Sequence, residues 1–350
     1  MDNGIEIKRE VINLLQTLSV CKPSTNMKNW TVRCPYCGDS KTANHGHFSI
    51  LIDLDSDRPM LYRCFRCNES GILTDMTLED LQLFAPANIR NGISQYNKKS
   101  HNSTFITDKP KNYKIPEVRY NQFTQRKLDY INNRLGTDID AIKATQYKII
   151  LNFIDFLVYN NIPFGNEGNS ILKAGTVREL EQNYVGFLSS NNNKITFRDI
   201  TGNGFFGRYY KVTLDIMNTS PNTFYALDSS YDLLYTNDMH IRVAEGTFDI
   251  IGIYENLDID KSQNSLFLAS CGFGFSRILK FLIYKGCTSD IHFHLYADAD
   301  KSDNEIRNLF RNQFYKIWID KIIIHRNTIP GQKDFGVRKD EMRDYSYLLK

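Results

Sequence analysis

The sequence predicts a mixed α/β protein, α+β overall, in which a small β-rich N-terminal module precedes a larger domain built on a parallel sheet. Three observations predict it. Two Cys-x-x-Cys pairs, Cys34/Cys37 and Cys64/Cys67, bracket two short strand-like runs. From His240 onward, strand-patterned and helix-patterned segments alternate, the signature of parallel strands joined by helical crossovers. Two of those strands also end abruptly in acids, Glu245 after HIRVA and Asp298 and Asp300 after IHFHLYA.

A chain of 350 residues with 41% hydrophobic content can bury two or three separate cores. No run of about 18 apolar residues is present to span a bilayer, and the opening MDNGIEIKRE has no apolar signal region. A soluble, cytoplasmic protein with no membrane partner is the expectation.

Taken in order, Ile5, Val11, Leu14, Leu15 and Leu18 recur at roughly helical spacing and predict one short amphipathic helix. Next, HFSILIDL and MLYRC read as two strands around the turn DSDRP. A hairpin of this kind brings its ends together, and with them the two cysteine pairs, although 26 residues separate Cys37 from Cys64. Each pair offers two thiolates from one tight knuckle. Four thiolates make a closed tetrahedral site, so the expectation is a structural zinc that folds the module and leaves no position open for chemistry. A redox pair, or His45 or His47 as a ligand, is the weaker reading. Cys21, Cys271 and Cys287 fall outside this pattern. The module also carries Lys41, Arg58, Arg63 and Arg66 beside Phe48, Tyr62 and Phe65, a mixture of cations and rings suited to single-stranded nucleic acid. Those rings could equally form its core.

Residues 85–116 hold six Lys or Arg against the single acid Asp108, whereas the whole chain is only +3. The basic excess is therefore local. Rich in Asn, Ser, Lys and Pro, the stretch reads as a flexible linker, either merely solvated by its charge or resting on phosphates. The domain expectation is accordingly 1–84 for the zinc-binding module, 85–116 for the linker, 117–242 for a basic subdomain and 243–350 for the parallel-sheet region.

Beyond the linker, HIRVA leads into a helix opened by EGTFD, SLFLA into FSRILKFLIY, and IHFHLYA through its acids into IRNLFRNQF and then KIIIH. In a parallel sheet the functional crevice lies beyond the carboxyl ends of the strands, so Glu245, Asp298 and Asp300 should share one end. A DxD by itself is more often a solvated turn. Three convergent carboxylates, by contrast, repel unless a cation sits between them, and hard oxygens select Mg²⁺ or Mn²⁺.

EGTFD followed by YADAD resembles the paired acidic motifs of the TOPRIM fold shared by bacterial-type primases, topoisomerases and some nucleases. The flanking segment ITFRDITGNGFFGRYYKV is similar to the one that precedes that core in bacterial-type primases, and KLDYINNRLGTDIDAIKATQYKI resembles the helical stretch opening their polymerase domain. The resemblance, which covers most of the chain, implies a compact, bacteriophage-like DNA primase that makes short RNA primers on a single-stranded DNA template from ribonucleoside triphosphates. It implies metal ligands in Glu245, Asp298 and Asp300, accessory acids in Asp249 and Asp334, and phosphate-binding cations in Arg198, Arg208 and Lys211. The compartment implied is the host cytoplasm if the protein is viral. The chain departs from the family pattern in its four zinc cysteines, where a histidine is common, and in SPNTFYALDSS, which lacks an expected lysine. The end at Lys350 leaves no room for the helical domain that recruits a replicative helicase, so a separate helicase is the expected partner. A TOPRIM-type nuclease would use the same acids with water as nucleophile. A non-catalytic zinc-ribbon binder of single-stranded nucleic acid would make those acids incidental. A topoisomerase needs a tyrosine nucleophile on a further large domain.

Overall fold

The computed structural model describes residues 3–36, 44–66, 69–102, 113–165, 170–215, 224–227, 239–259, 264–271, 278, 282, 291–311 and 319–349. The chain divides into two compact units, Met1–Asn112 with Lys211–Ser220, and Tyr113–Tyr210 with Pro221–Lys350. Among the described residues no helix is long and apolar enough to cross a membrane.

In the first unit, helix α1 (Asn3–Gln16) precedes five antiparallel strands that lie side by side in chain order: β1 (Cys21–Pro23), β2 (Asn29–Val32), β3 (Phe48–Leu51), β4 (Leu61–Cys64) and β5 (Ser70–Ile72). Helix α2 (Asp75–Asp80) and helix α3 (Ala87–Asn102) follow. Alternation along β2 and β3 sends Trp30, Val32, Phe48 and Ile50 into one core, where Ile7, Val11 and Leu15 of α1 meet them at four-residue spacing. Ile7, not Ile5, begins the buried stripe. The predicted hairpin of β3 and β4 is present, with Phe48 opposite Cys64 and Leu51 opposite Leu61.

The linker expectation is corrected over its first half. Helix α3 occupies Ala87–Asn102, because Ile89 and Ile93 lie one turn apart and are buried against the same core. Burying each contributes roughly 1.5–3 kcal/mol, enough to hold a helix of otherwise polar composition. Tyr96, one turn further, donates its hydroxyl to the Arg58 carbonyl at 3.1 Å and lies under the buried Lys8 ammonium. The first unit therefore runs to Asn112, past the expected end at residue 84. Residues 103–112 of the expected linker, Lys109 and Lys111 among them, lie outside the described residues.

The second unit contains helices α4 (Gln122–Leu135), α5 (Ala141–Gln146), α6 (Phe153–Tyr159) and α7 (Ala174–Asn183) around strands β6 (Ile149–Ile150), β7 (Tyr184–Leu188) and β8 (Lys194–Asp199), which form one sheet in that order, and the start of β9 (Tyr209–Thr213), whose residues from Lys211 belong to the first unit. Its larger sheet comprises β10 (Tyr225–Ala226), β11 (Met239–Ala244), β12 (Ser265–Ala269), β13 (Ile291–Tyr296), β14 (Ile319–Asn327) and β15 (Asp344–Leu348). Helix α8 (Thr247–Asn256) follows β11 and helix α9 (Asp303–Arg311) follows β13. The strand order is β10-β12-β11-β13-β14-β15; the central four are parallel, as predicted, and the two edge strands antiparallel. Of the helix expected over 275–284, only Ile278 and Leu282 lie among the described residues, both buried.

No boundary separates 117–242 from 243–350. One core runs from Leu128, Ile131 and Leu135 of α4 through Val185 and Phe187 of β7 to Phe248 and Ile251 of α8, so the two expected subdomains fold as one unit. The opposite face of the large sheet packs Ile241, Val243, Phe293, Leu295 and Ile324 against Ile306 of α9.

One stripe of that sheet is unexpectedly polar. His240 of β11, His294 of β13 and His325 of β14 form a ladder of ring hydrogen bonds of 2.8 and 3.0 Å, which ends on Asp344 of β15 at 2.7 Å. Burial, reinforced by Arg242, His325, His240 and His292, pulls the His294 pKa down to about 2 from 6.5. A ring that stays neutral in the fold but protonates in the unfolded chain contributes stability above pH 6.5 that is lost as pH falls toward 2. His294→Gln keeps a polar side chain without a titrating ring. In urea unfolding between about pH 6.5 and pH 4, it should flatten the acid-side decline by up to about 1.4 kcal/mol per pH unit. An unchanged slope would show that His294 is not the group responsible.

Candidate active site

The strand order β12-β11-β13-β14 places a topological switch point between the carboxyl ends of β11 and β13, where chain connections leave in opposite directions. Ala244 of β11 pairs with Tyr296 of β13, so Glu245 and Asp298 emerge beside each other at the switch point. Asp249 comes from the first turn of α8, where its carboxylate accepts the Gly246 N–H at 2.9 Å. Asp334 lies in the loop between β14 and β15. A hydrogen bond of 2.8 Å from the Ala299 N–H to the Lys333 carbonyl ties that loop to the Asp298–Asp300 turn. Arg326 fixes the turn from the other side, donating to the Asp298 carbonyl at 2.6 Å and to the Asp303 carboxylate at 3.0 Å.

Electrostatics show that these acids sense one another. Burial, and then the charges of Glu245 and Asp334, push the Asp298 pKa up to about 7. Asp249 is also raised to about 7, by burial first and then by Asp334 and Asp298, with Arg134 opposing. Glu245 is raised by burial, with Asp249 and Asp300 adding to it and Lys301 opposing. Five residues from four segments thus share one field, which makes Glu245, Asp249 and Asp298 harder to ionise. Asp300 is the most exposed of them, 4.0 Å from Lys301.

Several members of this site were not legible in the sequence. Arg134, at the end of α4, lies over the Phe248 ring at 4.8 Å, donates to the Gly336 carbonyl at 2.9 Å and interacts electrostatically with Asp249 and Asp334. Gly336 is needed for close approach, since a Cβ there would stand 2.6 Å from an Asp249 oxygen. Gly336→Ala should therefore displace the Asp249 carboxylate and weaken Mn²⁺ binding severalfold in calorimetric titration; unchanged affinity would exclude Asp249 from the cation environment. Lys301 and Lys333 temper the repulsion at Glu245 and Asp298. Only Lys333, next to Asp334 in GQKDFG, carried a local signal.

The three predicted phosphate-binding cations part company. Arg198, buried on β8, stacks its guanidinium over Tyr209 at 4.8 Å, and its Nε and Nη1 have no hydrogen-bond partner among the described residues. Arg208, exposed, approaches the same ring at 5.7 Å. The Tyr209 hydroxyl in turn feels Asp249 and Arg134, which connects this cationic edge electrostatically to the acids. Lys211 does not join them. It is buried in the first unit, 3.1 Å from the Glu69 carboxylate, and so forms a buried ion pair there.

In the first unit, Val32, Phe48 and Cys64 are register partners across β2, β3 and β4, so Cys34 and Cys64 leave the sheet at the same end. Both thiols are buried. The Tyr36 N–H points at the Cys34 sulfur and the Arg66 N–H at the Cys64 sulfur, each at 3.4 Å. Amides aimed at sulfur favour the thiolate, as a metal-binding knuckle requires. Cys37 and Cys67 lie outside the described residues. Among the described residues, no three His, Cys, Asp or Glu side chains stand close enough to form a ready cation site in either unit. The acids at the switch point are gathered but held apart; their hard oxygens and mutual repulsion fit a divalent cation. Of the rings in the module, Phe48 and Tyr62 stack on each other as core, whereas Phe65 is exposed with Arg63 above it.

No protein-family model matches the chain, and no curated protein matches it. Among solved structures, the zinc-binding and RNA polymerase domains of the Aquifex aeolicus primase are similar with a TM-score of 0.35 and 12% identity, over 96% of this chain and 81% of that one. A likeness of that degree assigns neither family nor activity to the chain.

Proposed function

We propose that this chain is a DNA primase, joining ribonucleotides on single-stranded DNA by metal-dependent nucleotidyl transfer. The observation that carries the reading is the pairing of Glu245 and Asp298 at the switch point of a parallel sheet, with both carboxyl pKa values raised by burial and by neighbouring carboxylates. Glu245, Asp298 and Asp300 would hold Mg²⁺ or Mn²⁺, with Asp249 and Asp334 completing the acidic surround. When bound, such ions supply charge neutralisation for the attacking ribose 3′-hydroxyl and for the departing pyrophosphate. The protein's own groups do the positioning. Arg326 and the Ala299 amide fix the turn that presents Asp298. Arg208, exposed beside the Tyr209 ring, is placed to grip a phosphate of the template or nucleotide, and the buried Arg198 on the same ring adds positive charge there. The 3′-oxygen forms a bond to the α-phosphorus as the α–β phosphoanhydride bond breaks and pyrophosphate leaves with its electron pair, and the hydroxyl proton passes to solvent water. A zinc held by Cys34, Cys37, Cys64 and Cys67 would hold the first unit together.

The deciding experiment is ribonucleotide incorporation by the full chain on single-stranded DNA with Mg²⁺ or Mn²⁺. Primers of discrete length are expected. Cleavage of the DNA in the absence of ribonucleotides would assign the same acids to a nuclease, and binding with neither activity would leave a nucleic-acid-binding protein.

A further inference from the structure

The turn between β8 and β9 presents an aromatic ring for which the fold has no use. Phe205 is 84% exposed. Single exposed apolar side chains are ordinary on flexible surfaces. This turn, however, is built to hold its shape. The Asp199 carboxylate accepts the Thr201 N–H and hydroxyl, both at 2.8 Å, and the Gly204 N–H at 2.9 Å. Burial works against the ionised form, yet these donors outweigh it and hold the Asp199 carboxyl below its usual range. The Tyr184 hydroxyl accepts the Phe206 N–H at 3.0 Å and donates to the Gly207 carbonyl at 2.9 Å, an approach that a Cβ on Gly204 would block. The Phe205 N–H is itself bound to the Glu179 carboxylate at 3.2 Å. Phe206 turns inward against Tyr210 at 4.5 Å, while Phe205 meets Phe206 perpendicularly at 5.1 Å and turns outward. Three residues on stands Arg208, exposed, which shares the Tyr209 ring with the buried Arg198, whose Nε and Nη1 have no hydrogen-bond partner among the described residues.

We propose that Phe205 is a stacking platform for one unpaired nucleobase of a single-stranded nucleic acid whose adjoining phosphate lies on the exposed Arg208, with the buried Arg198 adding positive charge. The ring supplies a π-face that every base can use, and the arginines supply charge complementary to the adjoining phosphates. A duplex cannot use such a platform, because its bases already stack on one another, so the preference is for single strands. The turn's side-chain hydrogen bonds fix Phe205 before binding, which lowers the ordering cost on association. The inference rests on the nucleic-acid reading above and adds to it the residue that contacts a base.

The test compares fluorescein-labelled oligo(dT) with an abasic oligomer of equal length and charge, using the full chain and its Phe205→Ala and Phe205→Trp variants at low salt. Wild-type protein should bind oligo(dT) severalfold more tightly than the abasic strand. Phe205→Ala should lose about tenfold in oligo(dT) affinity, the lower half of the range for one stacked base, with abasic affinity unchanged. Phe205→Trp should restore oligo(dT) binding, and the emission it adds over wild type should be quenched by oligo(dT) and not by the abasic strand. Equal affinity of Phe205→Ala and wild type for oligo(dT) would overturn the stacking role alone. An equal loss on both strands would overturn it too, since it would report damage to the phosphate contacts. Failure of the wild type to bind either strand would overturn the nucleic-acid reading and this inference with it.

Discussion

Asp298→Asn is expected to lower ribonucleotide incorporation on single-stranded DNA by on the order of 10²–10³ or more, because it removes a carboxylate proposed to hold the divalent cation that neutralises the reacting phosphates. The same substitution should make the metal-free protein more stable, and this opposite effect separates loss of chemistry from loss of fold. Burial, with Glu245 and Asp334, raises the Asp298 pKa to about 7 from 3.8. A carboxyl raised in the folded state contributes stability below pH 3.8, and this is lost as pH rises through about 7. At pH 8 in a chelator, the ionised Asp298 therefore opposes folding. Replacing it with the neutral amide should recover on the order of 1–3 kcal/mol, or about 2–4 °C of thermal midpoint per kcal/mol. Adding Mg²⁺ should stabilise the wild type more than the variant. Primer synthesis at wild-type level by both Asp298→Asn and Glu245→Gln would remove these residues from the site, whereas a lowered midpoint would attribute lost activity to unfolding.

Cys64→Ser should release zinc and unfold the first unit. Structural zinc sites contribute about 10–16 kcal/mol to the folding of small modules, more than the net stability of a typical domain. Cys64 lies at the end of β4, opposite Phe48, so the proposed zinc ligand and the core of this unit share a strand. The second unit has two cores of its own and should keep its thermal transition. Elemental analysis is expected to find one zinc per wild-type chain and none in the variant, with one of two thermal transitions lost. A wild-type protein without zinc would end the four-cysteine reading, and a variant that loses zinc yet retains both transitions would deny the metal a structural role.

Where signals are local, sequence and structure agree. The β3–β4 hairpin follows from two short alternating runs around DSDRP, and the parallel strands β11 to β14 from apolar runs separated by helix-forming segments. Glu245 and Asp298 could be placed at one end of the sheet because parallel strands all present their carboxyl ends on the same side. Disagreement begins where composition outweighs pattern. The polar, basic stretch after Ala85 reads as a linker, yet Ile89 and Ile93 suffice for a helix once a core is there to receive them. Lys211 follows the GFFGR run as though it belonged with the other cations, but its partner is Glu69, 142 residues away in the chain.

What the amino-acid sequence determined by itself was therefore the chemistry available at the ends of its strands: paired thiols in one unit and carboxylates in the other. Which of those groups act on each other was decided only by the tertiary structure. Arg134 and Gly336 close around Asp249 from positions 202 residues apart in the chain, and the histidine ladder exists only because β11, β13 and β14 lie in register. The physical reason is one of range. Strand and helix patterns are fixed by neighbours a few residues apart, whereas a shifted pKa or an ion pair depends on distance through space, which is set only when remote segments pack together.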